Sequence, residues 1–121
     1  MRGYLIDTNK KNARFIETEG GLDAYYSLLD CDCIDIVTRK IGGVEYDIVC
    51  DDEGLLVDDP VPSAIDTDGS VALVGSLLFL HHDDNGNLTA LTAEDTNNLI
   101  GHTRFVIFGG ELRKVVTGVD Y

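Results

Sequence analysis

Three groups of residues have types and spacings that suggest chemistry: the aspartate-rich turns, the adjacent His81 and His82, and the pair Cys31 and Cys33. An Asp-rich turn suggests calcium, and an EF-hand loop needs ligands at its first, third and fifth places, Gly at the sixth and Glu at the twelfth. With Gly86 in the sixth place, Asp83 and Asn85 fall correctly, but His81 stands first and Thr92 last. With Gly69 there, Ala64 stands first and Gly75 last. Both loops lack the strong ligands and read as solvated turns. His81 and His82 are neighbours on a predicted strand, so they point to opposite faces and cannot share one ion. Cys31-Asp32-Cys33 lacks the two-residue spacer of a zinc knuckle, and no second pair exists. His102 stands beside a predicted helix end, where the dipole accounts for it. No Gly-x-Ser-x-Gly elbow occurs, and Gly42-Gly43 and Gly109-Gly110 lack the Lys-Ser/Thr of a phosphate loop. The carboxylate pairs Asp51-Asp52, Asp58-Asp59 and Asp83-Asp84 are too common here to single out an acid/base couple. The expectation is a protein without catalysis, metal or cofactor.

What the carboxylates do as a population is more informative. The chain has 22 Asp and Glu against 9 Lys and Arg, a formal charge of -13 over 121 residues. Such a molecule repels nucleic acid and anionic membrane and is drawn to basic surfaces. Asp30, Asp32 and Asp35, then Glu45 and Asp47, then Asp51, Asp52 and Glu53 crowd one predicted hairpin and its ends, and Asp58 and Asp59 follow. On strands about 4.8 Å apart, some of these charges are spaced like those of a nucleic-acid backbone. The bland account is a solvated edge whose charges prevent aggregation, or adaptation to salt, since Asp outnumbers Lys strongly.

The elements that must position these groups follow from periodicity. Tyr4–Asp7 and Ala13–Thr18 form a first hairpin around Asn- and Lys-containing turn residues. Leu22, Tyr25, Tyr26 and Leu29 recur at helical spacing, predicting a helix over 22–29. Cys33–Ile41 and Val44–Cys50 alternate with period two around Gly42-Gly43, the clearest hairpin in the chain. Leu55–Val57 reads as a short extended piece. The segment 58–70 holds Pro60 and Pro62 and reads as a long loop excursion. Val71–His82 is the apolar, central strand, followed by an Asn85-Gly86 turn. Thr92 with Asp95 three residues on resembles a capping box for a helix over 93–100 that Gly101 ends. Arg104–Phe108 and Glu111–Val116 make a last hairpin. The predicted fold is one α+β domain over residues 1–121, a mainly antiparallel sheet built from hairpins with two short helices packed on one side. No apolar run reaches the roughly 18 residues of a membrane helix. The start of the chain lacks the pattern of a signal peptide. The odd cysteine count is a poor disulfide framework. The expected setting is cytoplasmic, with reduced thiols.

The stretches Leu28–Val37 and Tyr46–Leu56, with its Asp-Asp-Glu-Gly-Leu-Leu turn, together with Leu5-Ile6-Asp7, Phe15-Ile16-Glu17, the strand Val71–Phe79 and the helix start Leu91-Thr92-Ala93-Glu94-Asp95, resemble a family of small proteins of unknown function common in phages, plasmids and conjugative elements. The resemblance covers most of residues 4–100 and implies no catalytic residues. It implies a mobile-element setting, in which small acidic proteins act against host defence.

Three functions are open on this reading. The first is an acidic inhibitor that mimics nucleic acid on a basic protein groove, such as that of a nucleic-acid-binding enzyme, without binding nucleic acid or membrane itself. The second binds a small ligand such as a signalling nucleotide, at a site between the sheet and the 58–70 excursion or at a dimer seam, drawing on Arg39, Lys40, Arg104, Arg113, Tyr25 and Tyr26. The third is a structural module, a homodimer paired through an exposed strand.

Overall fold

The computed structural model describes residues 1–54 and 60–121. Among them are ten strands and two helices: β1 Arg2–Asp7, β2 Asn12–Glu17, α1 Leu22–Leu29, β3 Ile34–Ile41, β4 Val44–Asp51, β5 Pro62–Asp66, β6 Val71–Val74, β7 Leu77–His82, β8 Leu88–Thr89, α2 Ala93–His102, β9 Thr103–Phe108 and β10 Glu111–Asp120. The sheet runs β2-β1-β7-β4-β3-β10-β5-β6, with β8 beside β7 and β9 beside β10. The architecture is α+β, as the alternation of patterns predicts. The sheet is mixed, because β5 runs parallel to β10 while its other strand pairs are antiparallel.

β7 is the hydrophobic spine. Leu77, Leu78, Phe79 and Leu80 are all fully buried, because β1 and β4 flank the strand and both of its faces are covered. One face carries Tyr4, Ile6, Tyr46, Ile48, Leu77 and Phe79 and is closed by Leu91 and Leu99 at and near α2. The other carries Leu5, Val49, Leu78 and Leu80 and is closed by Tyr25 and Leu29 of α1. The helices therefore lie on opposite faces of the sheet, correcting the expectation that both pack on one side. The physical reason is the spine: a strand apolar at every position, not every second one, needs a cover on each side.

Three local expectations also change. The excursion expected at 58–70 contains β5, with Pro62 as its first residue, where a missing N–H costs least. β5 finds its partner β10 some fifty residues away, so no local pattern announces it. Val71–His82 is two strands, split at Gly75, whose φ of 76° takes the chain out of register. α2 continues through Gly101 to His102. The extended piece expected at Leu55–Val57 lies outside the described residues.

The predicted α1 boundaries hold. Its last turn ends on Asp30 in the left-handed conformation (φ 52°), a place usually given to Gly or Asn. α2 starts as expected, with Asp95 reaching back to the Thr92 N–H.

Candidate functional site

The β3–β4 register decides which predicted acidic residues meet. Ile34 pairs with Asp51 at the open end of the hairpin, and the Asp52 N–H donates to the Cys33 carbonyl at 3.1 Å. Asp32, Asp51, Asp52 and Glu53 consequently surround the exposed Cys33 thiol. Local desolvation and then these carboxylates push that thiol up from its ordinary range. Asp35, Asp51 and Asp52 line a cavity of about 440 Å³ whose other walls are Val37, Cys50, Gly54 and Val71–Val74 of β6. Asp30 and Asp51 share a smaller cleft beside the β1–β2 turn, with Thr8, Asn9 and Ser76. Asp30, Asp32, Asp35, Asp51, Asp52 and Glu53 thus gather at one end of the sheet, held by the end of α1, the start of β3 and the end of β4.

Glu45 and Asp47 do not join them. Six and four residues before Asp51 on an extended strand, they lie about 20 Å and 13 Å away. Asp47 is buried and serves the fold: it accepts from Thr38 Oγ1 at 2.8 Å and pairs with His82 Nδ1 at 2.7 Å, with Glu45 4.0 Å from the same imidazole. Asp58 and Asp59 lie outside the described residues.

The cavity combines an apolar wall with a carboxylate rim. Burial foremost, then Asp35, Asp52 and Asp51, push the Cys50 thiol at its floor up to about 11. That thiol is therefore a neutral apolar packing group, unfit as a nucleophile at neutral pH. The site can receive a side chain with an aliphatic stem and a cationic head. No cation appears among its described lining residues, so it is unsuited to an anionic nucleotide.

His81 and His82 do face opposite ways. His81 Nε2 lies 2.7 Å from Asp95 on the α2 face, and its ring stacks on Tyr46 at 5.0 Å. Asp95 is buried and also accepts from the Thr92 N–H at 2.6 Å, Thr92 Oγ1 at 2.9 Å and the Tyr46 hydroxyl at 2.9 Å. Burial pushes its carboxyl up, but these hydrogen bonds outweigh burial and hold it below the usual carboxylate range. With every neighbour a donor bound to it, Asp95 clasps α2 to β4 and β7. Among the described residues, no three His, Cys, Asp or Glu side chains form a metal-binding group.

A second concavity, which the sequence does not announce, holds cations. It measures about 280 Å³ and is lined by Tyr4, Ala13, Arg14 and Phe15 of the first hairpin, Ile100 of α2, and Thr103, Arg104, Phe105 and Lys114 of the last hairpin. The Tyr4 hydroxyl and Thr103 Oγ1, 2.7 Å apart, tie its two walls. Of the residues expected to bind a nucleotide only Arg104 is here. Arg39 lies over the Tyr121 ring at 4.3 Å, Arg113 is bound to the Thr8 carbonyl and Glu111, and Tyr25 of α1 is buried against the sheet. No sequence signal joins the two hairpins, since their contact spans about a hundred residues.

No helix among the described residues is long and apolar enough to cross a membrane. No curated protein and no solved structure matches the chain. One family model matches residues 1–104, and so includes all the acidic residues of the sheet end. On that match, the chain belongs to the family described as Domain of unknown function (DUF3846).

Proposed function

We propose that this is a non-catalytic acidic binding protein of a phage or other mobile element, a counter-defence inhibitor that occupies a basic protein groove in place of nucleic acid. The observation that carries the reading is the acid-rimmed apolar cavity between the β3–β4 hairpin end and β6. An Arg or Lys of the partner would lay its methylene stem against Val37 and Val71–Val74 and its charge among Asp35, Asp51 and Asp52. Asp30, Asp32 and Glu53 would widen the anionic footprint and steer the encounter.

The reading is tested by competition. The protein should displace DNA from a basic nuclease groove at low salt, and the triple variant Asp35→Asn, Asp51→Asn, Asp52→Asn should lose that ability. Screening shortens to a few ångströms by half-molar salt. Binding that survives such salt, or that the triple variant retains, defeats the proposal.

A further inference from the structure

The cation-bearing cleft between the first and last hairpins points to a ligand opposite in charge to the partner proposed for the acidic end. Its chemistry stands out against the rest of the molecule. The chain has more than twice as many carboxylates as cations, yet no Asp or Glu is among the described residues lining this cleft.

The cations there differ in availability. Arg14 lines the cleft near Phe15, but its guanidinium is already committed to Asp7 at 3.1 Å and to Asn12 at 2.6 Å, on the far side of β2. Among the described residues, Arg104 at the rim is held by the carbonyls of Gly101 and Thr103. Lys114 has its ammonium 5.1 Å from the centre of the Phe105 ring, and Arg2, outside the cleft lining, lies over the Phe15 ring at 4.2 Å. Among the described residues none of Arg2, Arg104 and Lys114 has a carboxylate within ion-pair distance. In a protein of this charge, two lining cations, Arg104 and Lys114, that rest on carbonyls and an aromatic ring instead of carboxylates are suited to an anion.

Aromatic surface is the second half of the chemistry. Phe15 packs against Tyr4 at 4.6 Å, which fixes one ring of the wall. Phe105 is 63% exposed, an apolar ring that folding leaves in water. Ile100, 55% exposed, borders it. Planar apolar walls with cations at the margin match a base that stacks and a phosphate that is paired. The cleft's volume is near the lower end for small-molecule sites, which fits one nucleotide and not a dinucleotide.

We infer that the cleft formed by Tyr4, Phe15, Thr103, Arg104, Phe105 and Lys114 binds a nucleoside monophosphate, its base against the Phe105 ring and its phosphate at the Lys114 ammonium, with Arg104 adding positive charge at the rim. A nucleic-acid strand is the less suitable occupant. Its further phosphates would run out over a surface of net charge -13, where repulsion grows with each nucleotide, whereas one phosphate meets only the local cations. The inference goes beyond the acidic-end reading and uses none of its residues.

The test is titration of the full-length protein with AMP, adenosine, inorganic phosphate and a single-stranded oligonucleotide, followed by amide chemical shifts. Sedimentation in parallel gives the oligomeric state. Millimolar AMP should move the resonances of Phe15, Thr103, Phe105 and Lys114 and leave those of Asp32, Asp35 and Asp52 in place. Lys114→Gln and Phe105→Ala should each weaken AMP about tenfold, and Lys40→Gln on the exposed part of β3 should not. Adenosine should bind about tenfold more weakly than AMP. The inference fails if AMP moves nothing, if both cleft variants bind AMP as the parent does, or if phosphate alone binds as well as AMP. It also fails if the oligonucleotide binds more tightly than AMP, or if a dimer buries the cleft. Loss of AMP binding would leave competition for a basic groove unchanged, so the two readings fail separately.

Discussion

Removing the Asp95 carboxylate should be among the most damaging single changes to this protein. The side chain is 4% exposed and accepts from the Thr92 N–H, the Thr92 hydroxyl, the Tyr46 hydroxyl and His81. Asp95→Ala removes a helix cap, worth about 1 kcal/mol. It also strands the Tyr46 hydroxyl and the His81 ring, each at about 1–3 kcal/mol. Because the groups act together the sum is not additive, and about 4 kcal/mol is the expected loss, a large share of a typical domain's 5–15 kcal/mol. Asp95→Asn keeps the shape and one acceptor oxygen. With that oxygen turned to Thr92 and His81, it should lose only about 1–2 kcal/mol, the charge assistance of these bonds. Urea unfolding followed by circular dichroism measures both. The pH dependence supplies a second reading. Asp95 has a lowered folded-state pKa, so its contribution is present above the unfolded value and is lost as pH falls through the folded one. The parent should lose stability across that acidic window more steeply than Asp95→Asn. A loss below 1 kcal/mol for Asp95→Ala, or equal losses for Ala and Asn, would refute the clasp.

Other consequences are as direct. At Gly42 (φ +60°) a Cβ would run into the Asn98 amide and come within 2.8 Å of His102, whereas at Gly43 (φ +80°) it would meet nothing within 4 Å. Gly43→Ala should therefore cost about 1 kcal/mol of backbone strain, and Gly42→Ala about 1–2 kcal/mol more, by urea titration. Burial foremost, then the Asp95 charge, push the Tyr46 hydroxyl up to about 12 despite the Asn98 hydrogen bond. The folded state thus holds this proton more tightly than the unfolded chain. That part of the stability is intact below the ordinary tyrosine pKa of about 10 and is lost as pH rises to about 12, visible as phenolate absorbance appearing together with unfolding. Cys33, exposed, should be alkylated first and Cys50, buried, only on unfolding. Asp52→Asn with Glu53→Gln should speed Cys33 labelling by lowering its thiol pKa, as rates at several pH values would show; an unchanged rate would mean that the carboxylates do not converge there.

Much of the framework could be read from the chain because it is local. α1 and the β3–β4 hairpin carry their period within a few residues, and the Thr92–Asp95 cap spans one helical turn. What escaped is long-range. The parallel β5–β10 pair joins segments with four strands and a helix between them. The opposite placement of the helices was implicit in the unbroken apolar run of β7, a signal read for burial but not for its two sides. For the acidic residues, closeness in sequence was a good guide at the hairpin's open end and a poor one at Glu45 and Asp47. There strand length separates them from the rest, and His82 converts Asp47 into a structural residue. The cationic cleft had no local signal: Phe15 and Lys114 meet only because the last hairpin folds back over the first.

That return has a kinetic consequence. β10 supplies Val115, Val116 and Val119 to the interior and pairs with β3, β5 and β9, yet it comes after residue 104, where the family match stops. Among the described strands β10 is the one that bridges β5 and β6 to β3, so as the chain leaves the ribosome those two strands join the sheet only after β10 has emerged. A nascent chain halted at residue 104 would expose the flank of β3 as an unsatisfied edge. Completion of the sheet thus waits on β10, and a protein cut at the family boundary should aggregate, as light scattering of a 1–104 fragment would show.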